Sequence, residues 1–383
     1  PETGYLSGSI AKEYDEDSSG GSHIVFDKIV TDDNFQPTAP YYSTFFYLWY
    51  KNPETNGGYS YWNDSNKNPP KTWFSYYLPD VDPQHFDPAK ELYSSTNYNA
   101  FKWQVSKMAQ SKIEVAIASW WGINRKEDEA FNTIINDYMA RTDNPYPNLR
   151  FAIYYEKEAI NPNTSPNTTP YDPNVDTEIV PDLNYIIEKY GDSPYLLRIN
   201  DKPVLFVYAD SNDKTDYVKR WVEANAKVGK YFYLNLKVFD GYQTFASQVD
   251  SWHQYAPATR GGTSGNYYYY VSPGFHLVGN NERLCRNLNG NSKSNCQSDN
   301  MSKEIPSFES ELTNMVNSNT TWKLIETWNE WGEGTAIEPG VPTTVDSAGN
   351  QVLDPSGVEF GNAYVDILNT NLPNLEGGTG RPQ

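Results

Sequence analysis

Apolar residues along this chain fall into short, nearly continuous runs, and most runs are followed by a longer stretch with apolar residues at helical spacing. The first run reads Tyr-Tyr-Ser-Thr-Phe-Phe-Tyr-Leu-Trp-Tyr over 41–50 and stops at Asn52-Pro53. A run that is apolar on both faces suits a strand buried on both sides, as in a parallel sheet. A long aromatic loop follows, through Tyr59-Ser60-Tyr61-Trp62 and Pro69-Pro70, and then an amphipathic helix over about 99–111. The alternation repeats as strand 114–121 and helix 126–141, strand 149–156 and helix 179–190, strand 203–209 and helix 213–228. Strand 232–239 precedes a short helix near 242–248; a weaker strand at 251–255 leads to strand 267–273, helix 305–316, strand 321–326 and a last helix near 361–372.

Strands alternating with helices imply parallel βα units. Counting the weaker run gives eight strands, so the pattern predicts an α/β fold, a (β/α)8 TIM barrel formed by residues 39–372 as one domain. Residues 1–38 are polar, with Ser18-Ser19-Gly20-Gly21-Ser22 as a flexible turn, and are expected to be an N-terminal extension, with 373–383 as a tail.

In such a barrel the active site lies at the C-terminal ends of the strands, where polar and aromatic groups should replace core aliphatics. The predicted ends carry Trp49-Tyr50, Trp120-Trp121-Gly122, Tyr155-Glu156, Tyr208, Pro273-Gly274-Phe275-His276 and Asn329-Glu330-Trp331-Gly332-Glu333. Each aromatic alone is more often core packing, but their shared position at one rim is harder to explain that way. The last stretch, Thr327-Trp328-Asn329-Glu330-Trp331-Gly332-Glu333-Gly334-Thr335, holds two carboxylates three positions apart between tryptophans. In a continuing strand those carboxylates would face opposite ways; Gly332 and Gly334 are expected to let the chain leave the strand and turn Glu330 and Glu333 into one cleft. Paired carboxylates beside aromatic platforms suit glycoside cleavage. His276 and His253 could also act as acids, although a lone histidine at a strand end is more often structural.

Composition narrows the partners. With 30 Lys+Arg against 49 Asp+Glu the net charge is -19, which opposes nucleic acid and anionic membranes. Tyr 31, Trp 11 and Phe 16 supply rings that can stack on sugars. Cys285 and Cys296 bracket a polar, Asn- and Gly-rich segment, and a disulfide between them is expected to order a surface loop. A lone cysteine pair is a poor zinc site, and no nearby base would activate a catalytic thiol. Asn63, Asn163, Asn167, Asn300 and Asn319 each begin an Asn-x-Ser/Thr triplet; with the cysteines they suggest export and possible N-glycans. No apolar run reaches the roughly 20 residues of a membrane span, and no stretch has the signal-peptide pattern, so a mature or trimmed extracellular form is expected.

Four segments together carry a family resemblance: Phe46-Tyr47-Leu48-Trp49-Tyr50, Ala116-Ile117-Ala118-Ser119-Trp120-Trp121-Gly122, Lys202-Pro203-Val204-Leu205-Phe206-Val207-Tyr208 and Asn329-Glu330-Trp331-Gly332-Glu333-Gly334-Thr335. They resemble glycoside hydrolase family 99 and its wider relatives over about 41–340. One departure is the first segment, where the family usually has a proline before Trp-Tyr and a glycine after it. The resemblance implies a secreted, retaining, endo-acting enzyme on α-mannosides of a glycan or polysaccharide, working without metal or other cofactor. By motif position Glu330 would take the proton of the sugar's 2-hydroxyl, which closes on C1, while Glu333 would protonate the leaving oxygen, for which a raised pKa would suit it. Glu156 would hold substrate hydroxyls, and Tyr50, Trp120, Trp121, Tyr208, His276, Asn329 and Trp331 would line the substrate site. Two other readings stay open: a non-catalytic carbohydrate-binding or coat protein on the same fold, and a related enzyme acting on a different surface polysaccharide.

Overall fold

The computed structural model describes residues 35–62, 75–76, 92–159, 174–209, 215–275, 285–286, 292–293, 301–341, 343–345, 351–353 and 362–374. His276, Cys296, the side chain of Cys285 and the triplets at Asn63, Asn163, Asn167 and Asn300 lie outside what is described, as do residues 1–34 and 375–383. The expected roles of those residues, including the Cys285–Cys296 disulfide, therefore fall outside it too. Asn319 is described, and it is exposed.

Eight strands carry the fold: β1 (Tyr41–Phe46), β2 (Val115–Trp120), β3 (Arg150–Tyr155), β4 (Lys202–Val207), β5 (Tyr233–Lys237), β6 (Ser251–His253), β7 (Tyr268–Val271) and β8 (Trp322–Ile325). They lie in the order β6-β5-β4-β3-β2-β1-β8-β7, every neighbouring pair parallel. Parallel neighbours need crossovers, and α1 (Tyr98–Gln110), α2 (Lys126–Thr133), α3 (Val180–Tyr190), α4 (Thr215–Lys227) and α5 (Met301–Asn317) account for most of them, while α6 (Ala363–Asn371) follows β8. Every residue of β1, β2 and β3 is buried, as expected of strands covered on both faces.

The sheet curls until strands far apart in its order share one interior. Phe45 of β1 packs on Tyr154 of β3 with ring centroids 4.9 Å apart, and Phe206 of β4 lies 4.8 Å from Trp322 of β8 and 4.9 Å from His253 of β6. This is the interior of an α/β barrel, filled by side chains. One feature of the predicted barrel differs: among the described residues β6 and β7 share no ladder. β6 has three residues, and the antiparallel strand Gly261–Ser264 takes the edge of β7 that β6 would need. A side chain from the strand beyond reaches β6 instead: Trp322 Nε1 of β8 donates to Ser251 Oγ at 3.0 Å.

Element boundaries move where local chemistry competes. β1 ends four residues earlier than the apolar run suggests, because the Tyr47 amide donates to the Asn329 side chain at 2.7 Å and so leaves the ladder. The predicted helix 126–141 is α2 continued by a π-turn over Ile134–Tyr138, and α3 is preceded by another over Val175–Ile179. The start of α1 follows its sequence closely: the Asn97 side chain accepts from the Ala100 amide at 3.1 Å, satisfying an orphan donor of the first turn.

Candidate active site

Beyond β8 the chain turns out of the sheet. The Glu326–Thr327 peptide is cis, and Trp331–Glu333 form a tight 3-10 turn closed by Gly334 at φ 65°. Both glycines were expected to bend the chain, but only Gly334 occupies the left-handed region; Gly332 is buried inside the turn. Several donors fix the segment. Trp328 N–H bonds to Phe45 O at 2.8 Å and Glu330 N–H to Thr327 Oγ1 at 2.9 Å. The Asn329 amide brackets Tyr47, accepting from its N–H at 2.7 Å and donating to its carbonyl at 2.9 Å.

Beneath this turn lies a buried carboxylate that sequence reasoning missed. Glu338 accepts from Gln104 Nε2 at 2.7 Å, Trp331 Nε1 at 2.8 Å, Tyr93 Oη at 3.1 Å and Trp328 Nε1 at 3.2 Å. Burial pushes its carboxyl up to about 7, against the pull of the four donors. Two of those donors are the tryptophans that flank Glu330 in sequence, so Glu338 anchors the turn from below. No local motif marked it; its partners come from three separate segments.

The two carboxylates emerge from the turn side by side. Glu333 N–H donates to Glu330 Oε1 at 3.3 Å, and the same oxygen accepts from Tyr61 Oη at 2.5 Å. Glu333 Oε2 accepts from Tyr255 Oη at 2.8 Å. Glu330 is 2% exposed and Glu333 is half-buried. Burial first, then the nearby Glu330 and Glu333 charges, push the Tyr61 and Tyr255 hydroxyls well above the ordinary tyrosine range, so both remain protonated donors. Neither tyrosine was singled out from sequence, since each reaches its carboxylate only through the curl of the sheet.

A wall of rings adjoins the pair. Trp49 stacks on Tyr47 at 4.4 Å and on Tyr61 at 4.1 Å, and Trp121 lies 6.4 Å from Trp49. Glu156, just past β3, is buried, and its Oε1 has no hydrogen-bond partner among the described residues. Burial raises its carboxyl well above the usual range; Ser119 pulls the other way, and Glu330, Glu127 and Glu333 raise it further. A buried carboxyl oxygen without a partner is costly, which marks it as a place for a ligand hydroxyl. Tyr208 is half-buried beyond β4, with Lys237 Nζ 4.5 Å over its ring.

Four expected contact residues are enclosed instead. The Tyr50 hydroxyl donates to Asn329 O at 2.5 Å, and Trp120 Nε1 donates to Asp128 Oδ1 at 2.9 Å. Trp331 Nε1 is held by Glu338, and Asn329 is fully buried against Tyr47 and Tyr93. Being at a strand end does not put a side chain in the cleft, because alternate residues point under the rim. His253 is enclosed as well: its Nδ1 is 3.0 Å from Asn235 Oδ1, and burial holds its ring well below the usual histidine range, so it is neutral.

A sequence profile of glycosyl hydrolase family 99 matches residues 37–297. The chain belongs to this family. Membership makes it a glycoside hydrolase. Among curated relatives, the glycoprotein endo-alpha-1,2-mannosidase of Rattus norvegicus is 25% identical over 349 residues, which is 80% of this chain and 69% of that protein. The Xenopus laevis enzyme of the same name is 23% identical over 347 residues, 78% of this chain and 69% of that protein. A solved structure of the GH99 endo-alpha-mannosidase from Bacteroides thetaiotaomicron superposes with a TM-score of 0.55 at 17% identity, covering 87% of this chain and 97% of that one. That likeness speaks for the fold. The profile match ends before β8, so Glu330 and Glu333 stand on their own geometry.

Proposed function

We propose that this family 99 hydrolase is an exported, endo-acting, retaining enzyme that cleaves α-mannosidic linkages by using the substrate's own 2-hydroxyl as nucleophile. The observation that carries the reading is the turn at the end of β8, which seats Glu330 and Glu333 side by side, each held by its own tyrosine, against the ring wall of Trp49, Tyr61 and Trp121. The names of the curated relatives supply the mannosidic linkage. In the first step Glu330 removes the 2-hydroxyl proton, O2 bonds to C1, and the bond to the leaving oxygen breaks as Glu333 protonates it. In the second, Glu333 takes a proton from water as its oxygen bonds to C1, the C1–O2 bond breaks, and the released O2 regains its proton from Glu330. Two inversions at C1 give retention. Glu156 offers its unpartnered oxygen to a sugar hydroxyl, and Trp121 and Tyr208 offer half-buried faces, while Tyr50, Trp120, Asn329 and Trp331 position the turn.

Glu333→Gln should slow substrates with poor leaving groups strongly and spare activated ones in the first step, because only the former need the proton. Glu330→Gln should slow both, and a 2-deoxy substrate should be inert. Native rates for Glu330→Gln on a panel of α-mannans, or turnover of the 2-deoxy substrate, would sink the mechanism; circular dichroism separates this from misfolding. Export is supported by the exposed Asn319. The protein recovered from the medium of its native cells should lose mass on deglycosylation, and an entirely intracellular, unshifted protein would remove that part of the reading.

A further inference from the structure

Beside the carboxylates the chain forms a second hollow, a cavity of about 490 Å³ lined by Lys51, Trp121, Asn124, Arg125, Lys126, Glu127 and Glu129. It is continuous with the ring wall. Trp121 faces it and also borders Trp49, while Lys126 Nζ sits 5.9 Å over the Tyr61 ring whose hydroxyl holds Glu330. The hollow is built by paired segments: Lys51 and Ser60 exchange backbone hydrogen bonds at 3.2 and 3.1 Å, and Lys126 Nζ donates to Ser60 Oγ at 2.8 Å. Three cations therefore converge at one end of the cleft in a chain whose net charge is -19.

The two acidic residues in the lining each meet a lysine, which leaves the guanidinium of Arg125 over. Lys51 meets Glu129 at 3.4 Å, but the Glu129 side chain is 59% exposed, and exposed pairs of this kind hold little energy. Glu127 is buried, and its Oε1 lies 3.9 Å from Lys126 Nζ, at the outer limit of an ion pair. Arg125 is exposed and makes no ion pair among the described residues. A guanidinium with two ammonium groups beside an indole face suits a sugar that carries an anionic group, which such a set binds by charge-assisted hydrogen bonds.

We propose that this cavity is a subsite for a negatively charged substituent on the glycan, a phosphate or a carboxylate, one or more sugar units away from the scissile bond. The proposal rests on the cleft being the substrate site, as argued above. It makes the enzyme selective for anionic over neutral chains despite its own negative charge.

The test compares three manno-oligosaccharides of equal length, one neutral, one carrying a phosphate ester and one carrying a uronic acid. Binding to the full-length Glu330→Gln protein is measured by calorimetry, and KM is measured with the unaltered enzyme. Tighter binding of a charged oligosaccharide than the neutral one is expected, weakening as salt rises; which charged arm gains identifies the group. Arg125→Glu should raise KM for the preferred charged substrate roughly tenfold more than for the neutral one, the loss of about one charge-assisted contact. Equal affinity for all three, or an equal effect of Arg125→Glu on charged and neutral substrates, overturns the subsite. If nothing is cleaved but the charged oligosaccharide still binds preferentially, the mechanism falls and the subsite stands.

Discussion

At the scale of single residues, the site is organised by buried acids and the donors that face them. Glu338 is the clearest case, since four uncharged donors converge on its carboxyl. Its carboxyl is pushed from 4.5 up to about 7 by burial, so between those values the folded protein binds more protons than the unfolded chain. Stability must then fall as pH rises through that window, and it is fully present only below the unfolded value. Glu156 and Glu326 are shifted in the same direction, chiefly by burial, and add to the slope. Denaturant titrations should therefore find the protein more stable near pH 5 than near pH 8. Glu338→Gln cannot titrate, so it should gain on the parent by on the order of 3 kcal/mol across that interval. A gap that stays constant with pH would show that Glu338 does not carry the slope.

At the scale of elements, the segment from Glu326 to Glu338 matters more than any strand. It leaves β8, makes one 3-10 turn and returns to pair, with Thr327 N–H bonding to Thr335 O at 3.0 Å and Glu338 N–H to Trp328 O at 2.9 Å. Closing so short a circuit needs one residue in the left-handed region, and that residue is Gly334 at φ 65°. Gly334→Ala should cost about 1 kcal/mol of stability through backbone strain. Its effect on kcat should exceed what that loss implies, because the same turn presents Glu333 to Tyr255. Paired unfolding and kinetic measurements decide it: a variant that loses stability but keeps its kcat would detach the turn's geometry from catalysis.

At the scale of the whole molecule, a curled parallel sheet concentrates chemistry at one end while a charge of -19 is spread over the chain. Self-repulsion of that size opposes the compact state and is screened by salt. Melting temperature should rise as sodium chloride is taken from low to physiological concentration, and a flat or falling curve would mean that local ion pairs outweigh the net charge. The curl also explains how the family relationship can be recognised at 25% identity. What must persist is the alternation of buried strands and covering helices, which many sequences can supply.

The sequence by itself determined the parallel alternation of strands and helices, the end of the sheet at which polar and aromatic groups gather, and the Glu330–Glu333 pair. These are local properties, set by periodicity and by a short motif, and local properties survive without coordinates. It could not show which strand-end residues face the cleft. Tyr50 and Trp120 read like Trp121, yet they are enclosed, because burial depends on what the neighbouring strand brings. Nor could it find Tyr61, Tyr255 and Glu338, whose partners lie 269, 78 and up to 245 positions away. The open seam between β6 and β7 was hidden for the same reason: whether two edges pair depends on a competing strand, Gly261–Ser264, that has no strong apolar pattern of its own. Contacts between distant segments exist only once the sheet has curled, and so tertiary structure alone decided which side chains hold the two carboxylates.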